Sequence, residues 1–128
     1  MTKVLVDTDV IIDYLRINRG PMAQLVLIQS NGEIEMHLAS ISVMELYAGL
    51  SSIKFAEKIE LLVNLCTVVP FDATVARFAG KLKRDKKFPT VPVTDYLVGS
   101  TALWLKAELA TGNKKHFAGI PGLKFFNP

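Results

Sequence analysis

The chain has 128 residues, half of them apolar, a formal net charge of +3 and a single cysteine. That length suits one domain, residues 1–128, with enough sequence to bury a sizeable core, and the charge is too modest to define a partner by itself. Charged residues interrupt every apolar run before it reaches membrane-span length, the first fifteen residues carry three Asp and no signal-peptide cleavage pattern, and one Cys excludes an internal disulfide, so a cytoplasmic protein with no membrane partner is expected.

In chain order, Val4 to Val6 is a short β-branched run that reads as a buried parallel strand, and it ends abruptly at Asp7. Asp9 to Ile17 reads as a helix, and Arg19-Gly20-Pro21 breaks it. A second helix, Pro21 to Ser30, has Pro in its first turn and is closed by Asn31-Gly32. Met36 to Ala39 is a strand, followed by a helix from Ser42 to Leu50. Phe55 to Leu65 is helical, with Ile59, Leu62, Val63 and Cys66 on one face. Thr67 to Val69 is a third strand, stopped by Pro70. Asp72 caps a helix reaching about Lys87, whose buried stripe is Val75, Phe78, Ala79 and Leu82. Phe88 to Val93 holds two prolines and is loop. Thr94 to Ala107 is the most apolar helix and is placed centrally. Short strands near Glu108 to Thr111 and Lys124 to Phe126 complete the chain. Alternating strands and helices give an α/β fold with a mainly parallel sheet of 4–5 strands and helices on both faces.

In open α/β sheets, chemistry collects beyond the carboxyl ends of the strands. Asp7 sits there, and Thr8 or Asp9 is better placed than Asp7 to cap the following helix. Glu45 has two readings. Ser42-Val43-Met44-Glu45 matches a capping box, yet a helix starting straight after a strand also turns its first turn toward the same edge. Asp95 follows Thr94, a cap candidate, and could simply complement the helix dipole. It is, however, the only charged side chain between Thr94 and Leu105, and Gly99 one turn on implies close backbone approach. Thr111-Gly112-Asn113 offers a hydroxyl and an amide at a further strand end. Asp13 reads as solvated surface, Cys66 as a buried inert thiol and His37 as structural, while His116 is left open.

Three carboxylates in one crevice repel one another unless a proton or a cation intervenes. An all-oxygen set without thiolates or paired imidazoles suits Mg²⁺ or Mn²⁺ rather than zinc. Such a site activates water and stabilises phosphoryl charge, which makes phosphodiester hydrolysis its natural use. Basic residues support that substrate class. Arg77, Lys81 and Arg84 form a stripe at i, i+4 and i+7, enlarged by Lys83, Lys86 and Lys87 and opposed only by Asp85. Lys114 and Lys115 add positive charge beside Asn113.

The series Val6-Asp7-Thr8-Asp9-Val10-Ile11, Ser42-Val43-Met44-Glu45-Leu46-Tyr47-Ala48-Gly49-Leu50, Thr94-Asp95-Tyr96-Leu97-Val98-Gly99 and Thr111-Gly112-Asn113-Lys114-Lys115-His116-Phe117 resembles PIN-domain ribonucleases. It looks most like the VapC toxins of type II toxin–antitoxin pairs, and the resemblance covers the whole chain. It implies a three-layer α/β/α domain and a Mg²⁺- or Mn²⁺-dependent endoribonuclease, commonly a homodimer inhibited by a cognate antitoxin. Carried over by motif, Asp7, Glu45 and Asp95 match the acidic metal-site residues, and Asn113 matches a fourth catalytic position that is acidic in some members and Asn in many. His116 stands where Asp is often found, and Asp9 where many relatives have Asn. Thr8, Asp9 and Thr111 are then polar supports of the site, and Arg77, Lys81, Arg84, Lys114 and Lys115 are RNA-contact candidates. The apolar excess implies surface covered by a second copy or by the antitoxin. Two rival readings share some of these residues. One is a non-catalytic PIN-like domain that binds RNA or protein. The other is a haloacid-dehalogenase-type phosphatase with Asp7 as nucleophile, for which the late acidic pair is missing.

Overall fold

In the computed structural model, the described residues are 1–49, 55–86 and 91–128. Leu50, Lys87 and residues 88–90 of the loop expected over Phe88 to Val93 lie outside them, and Val93 opens the helix Val93–Leu105 instead. The elements in order are β1 (Thr2–Val6), α1 (Thr8–Ile17), α2 (Met22–Ser30), β2 (Ile34–Ala39), α3 (Ser40–Ala48), α4 (Ala56–Asn64), β3 (Thr67–Val69), α5 (Ala73–Lys86), α6 (Val93–Leu105), β4 (Glu108–Ala110) and α7 (Lys114–Phe117).

All three strand pairings are parallel, in the order β3-β2-β1-β4. Leu5 of β1 therefore pairs with His37 on one side and Leu109 on the other. The expected last strand reduces to one parallel bridge, Leu109 to Phe125, in which Leu109 N–H donates to the Lys124 carbonyl at 2.8 Å.

Alternation along each strand sorts the core into two halves. Val4, Val6, Met36, Leu38 and Ala110 pack under α1, α2 and α4, whereas Leu5, Ala39, Val69 and Leu109 face α5, α6 and α7. The outcome is the expected three-layer α/β/α arrangement. α4 and α5 bury the predicted stripes, with Ile59, Leu62, Val75 and Ala79 buried and Phe78 and Leu82 partly so. Asp72 caps α5 as expected, its Oδ1 accepting from Thr74 N–H and Val75 N–H at 3.1 Å each. Burial pushes the Cys66 thiol up to about 11, which keeps it protonated and inert.

The first two crossovers step from β1 to β2 to β3, and β4 then returns to the far side of β1. The chain thus reverses direction across the sheet between β1 and β4, and a crevice opens at the carboxyl ends of strands on either side of such a reversal.

Candidate active site

Asp7 leaves β1 at that reversal. Its N–H extends the ladder to the Ala110 carbonyl at 2.9 Å, and its Oδ2 accepts the Thr111 hydroxyl at 2.8 Å. Its Oδ1 accepts Thr8 N–H at 2.8 Å, so Asp7 itself is the N-cap of α1. The capping role expected of Thr8 or Asp9 falls to Asp7 because α1 starts one residue earlier than the apolar pattern indicated.

The capping box expected at Ser42 and Glu45 does not form. α3 begins directly at the strand end, with Ala39 in the cap position and no side-chain cap. Ser42 is therefore inside the helix, fully buried, and its hydroxyl has no hydrogen-bond partner among the described residues. Glu45 is free to turn toward α1, where its Oε1 accepts the Thr8 hydroxyl at 2.8 Å.

Thr94 is not a cap either, because α6 begins at Val93 with Pro92 in the cap position. Asp95 remains in the first turn, and His116 Nδ1 stands 3.3 Å from its Oδ2. Gly99 explains how that contact arises. A Cβ at Gly99 would fall 2.4 Å from Ile120 Cδ1 and 3.4 Å from Phe117 Cδ1. The bare α6 backbone lets the segment around α7 approach, and His116 comes with it.

Asn113 closes the group. Its N–H donates to Thr111 Oγ1 at 3.0 Å, and its Nδ2 donates to Asp9 Oδ2 at 3.2 Å. Asp9 Oδ1 is buried and has no hydrogen-bond partner among the described residues.

Electrostatics follow from this crowding. Burial, and next the charge of Asp9, push the Asp7 carboxyl up to about 7, against the Thr111 and Thr8 hydrogen bonds that favour its ionised form. Burial also raises Asp95 above the usual carboxylate range, with Asp9 adding to the effect and His116 opposing it. Among the described residues, no three carboxylate, imidazole or thiolate side chains close into a cage around one ion. Mg²⁺ does not need such a cage, since it keeps several waters and takes one or two carboxylates. The oxygen-only donors, the orphaned Asp9 oxygen and the raised Asp7 carboxyl therefore suit a hydrated, hard divalent cation.

Comparison with known proteins agrees with this arrangement. The model of the PIN domain family matches residues 4–123. The chain belongs to the PIN domain family. Ribonuclease VapC10 of Mycobacterium tuberculosis is 31% identical over 94% of this chain and 90% of its own length. Among solved structures, DNA-bound VapBC from Salmonella typhimurium superposes with a TM-score of 0.83 at 21% identity, covering 98% of each chain. A toxin–antitoxin complex from Klebsiella pneumoniae gives 0.69 at 23% identity, covering 94% of each chain. At those identities the structures speak for the fold alone.

Around the acidic edge of this PIN domain, Thr111, Gly112, Asn113, Lys114, Lys115 and His116 line a cleft of about 500 Å³. Lys115 is exposed there. Lys114 instead turns to the C-terminal segment, donating to Asn127 Oδ1 at 2.7 Å with its ammonium 5.8 Å over the Phe125 ring. On α5, Arg77, Lys81 and Arg84 are exposed, and Arg84 Nε donates to Asp85 at 2.9 Å. Two links were missed in the sequence, His116 to Asp95 and Asp9 to Asn113. The only local signal was the one-turn spacing of Asn113 and His116, which puts both on one side of α7.

Proposed function

We propose that this PIN domain is a divalent-metal-dependent endoribonuclease of the VapC kind, the toxin of a toxin–antitoxin pair, acting as a single domain over residues 1–128. The observation that carries the reading is the crowding of Asp7, which is buried, hydrogen-bonded as an anion on both oxygens, and pushed up to about 7 beside Asp9. A fold that places an acid this way without a basic partner gains from a cation.

Asp7, Asp95 and Glu45 would hold Mg²⁺ or Mn²⁺, directly or through water. The ion, when bound, supplies a water of lowered pKa and stabilises charge on the phosphoryl oxygens. Thr111 and Thr8 orient the Asp7 and Glu45 carboxylates through their hydroxyls. Asn113 is the neutral donor at the fourth position, and His116 steadies Asp95. Arg77, Lys81, Arg84 and Lys115 are the cations available to RNA phosphates, with Lys114 beside them.

The cognate antitoxin and a second copy of the chain are the proposed protein partners. A groove beside α1 and α4, lined by Tyr14, Leu15, Leu61 and Leu62 with Asn18 and Lys58 and about 370 Å³ in volume, supports a bound segment. No helix among the described residues is long and apolar enough to cross a membrane, and the reading places the protein in the cytoplasm.

The test follows binding and cleavage of a mixed structured-RNA pool by purified protein in Mg²⁺, in Mn²⁺ and in EDTA. The expected result is cleavage with either ion and intact RNA in EDTA. RNA that is bound equally well in EDTA and cut under no condition would favour the binding-only reading.

A further inference from the structure

We propose that Lys83 is a contact for an RNA backbone phosphate, and that Tyr96 is the positioning residue that holds its ammonium ready. The assignment rests on the nuclease reading and deepens it, because it adds a cation that lies off the outward stripe of α5.

Lys83 stands one helical turn beyond Ala79, on the side of α5 that meets α6, whereas Arg77, Lys81 and Arg84 follow another side. Its ammonium lies 5.7 Å from the centroid of the Tyr96 ring. Tyr96 follows Asp95 directly near the start of α6. Lys83 is exposed, and among the described residues no carboxylate pairs with it. Arg84, by contrast, has Asp85 at 2.9 Å, which offsets part of its charge.

A surface lysine ordinarily spreads its ammonium over many rotamers in water. Tyr96 limits that freedom. Its side chain is buried, only 7% of the residue being exposed, and its hydroxyl donates to the Ala79 carbonyl of α5. The backbone N–H of Lys83, four residues on from that carbonyl, bonds to the same phenol. The ring is thus fixed to the turn of α5 that carries Lys83, and it attracts the ammonium through its electron-rich face. The partner is neutral. A carboxylate there would cancel the charge, whereas a ring leaves it available to a phosphate.

The setting gives that charge a use. RNA approaching Asp7, Glu45 and Asp95 meets an edge of acids that repels its backbone. Lys114, the lysine next to Asn113, is turned away to Asn127. A cation held on the neighbour of Asp95 offsets the repulsion for a phosphate close to the one being cut.

The test uses one single-stranded RNA oligonucleotide, with Kd measured in EDTA across a salt series and KM and kcat measured in Mn²⁺. Wild type is compared with Lys83→Gln, Lys83→Arg, Tyr96→Leu and the Lys83→Gln, Tyr96→Leu pair. Lys83→Gln should raise Kd and KM roughly three- to tenfold, leave kcat within about twofold, and lower the log–log salt slope by about 0.7. Lys83→Arg, which keeps the charge and stacks on the ring, should stay near wild type. Tyr96→Leu should weaken binding in the wild-type background and add little once Lys83 is Gln. Unchanged Kd and salt slope in Lys83→Gln would overturn the phosphate contact while leaving the nuclease reading standing. A Tyr96→Leu loss of equal size in both backgrounds would overturn the positioning role, since it would then act through α5 packing alone. A wild-type protein that neither binds nor cuts RNA would overturn both the proposal and the nuclease reading.

Discussion

The Thr8 hydroxyl donates to Glu45 Oε1 at 2.8 Å, tying the first residue of α1 to the second turn of α3. Glu45 reaches the Asp7 side of the crevice through this bond, so the hydroxyl should matter more to activity than to folding. Thr8→Val removes it while keeping the shape. We expect about tenfold slower RNA cleavage with roughly 1 kcal/mol lost in stability, and near wild-type rates for Thr8→Ser. Cleavage rates and thermal melts of the two variants check this.

The Asp7 carboxyl makes ion-free stability depend on pH. Its folded pKa, about 7, lies above the unfolded 3.8, so the folded protein keeps a proton that the unfolded chain releases between those values. The contribution is fully present below about pH 4 and is lost as pH rises through 7. Asp7→Asn should therefore flatten the decline, and above pH 7 the ion-free variant should be more stable than wild type by roughly 2–4 kcal/mol. Denaturant melts from pH 4 to 8 in EDTA measure the difference. Adding Mg²⁺ at pH 8 should stabilise wild type far more than the variant.

Gly99 and Ile120 form a packing pair with a readable sign. Alanine at 99 gains about 1 kcal/mol in helix propensity, while its Cβ meets Ile120 Cδ1 in a buried contact that costs about 1–3 kcal/mol. Gly99→Ala should be destabilising on its own. With Ile120→Val the obstructing methyl is gone, and the same alanine should become neutral or stabilising. A four-way comparison of unfolding free energies isolates the coupling.

If α5 carries RNA phosphates, Arg77→Ala and Lys81→Ala should raise KM and leave kcat close to wild type. Each lost contact should also reduce the salt dependence of binding by about 0.7 in the log–log slope. Lys114 is tethered to Asn127 and Phe125, so Lys114→Ala should change the slope less and the melting temperature more. Binding titrations between low and moderate salt separate the two behaviours.

Much of this molecule was legible in local pattern. The short β-branched run at Val4, the Asp72 cap and the apolar helix holding Asp95 were each visible from spacing and residue type. Two of the errors share one form, a helix that begins after a residue with no capping side chain. Ala39 and Pro92 stand in cap positions without capping side chains, so Ser42 and Thr94 looked like the starts of helices that had already begun. The site's cross-links were legible only in part. Asp7 with Thr111 and Asp9 with Asn113 are each 104 residues apart, and they meet because β4 lies against β1. Pattern places each of these residues at a strand end, but only the sheet order makes the ends neighbours.

The most direct test of the central claim is cleavage of one defined RNA by wild type and Asp95→Asn, purified in parallel and assayed with Mn²⁺ and with EDTA. The account predicts that wild type cuts only with Mn²⁺ and that Asp95→Asn, still folded, cuts at least a hundredfold more slowly, at roughly the loss seen when a charged transition-state contact is removed. Equal cutting by both proteins, or cutting by wild type that persists in EDTA, would contradict it.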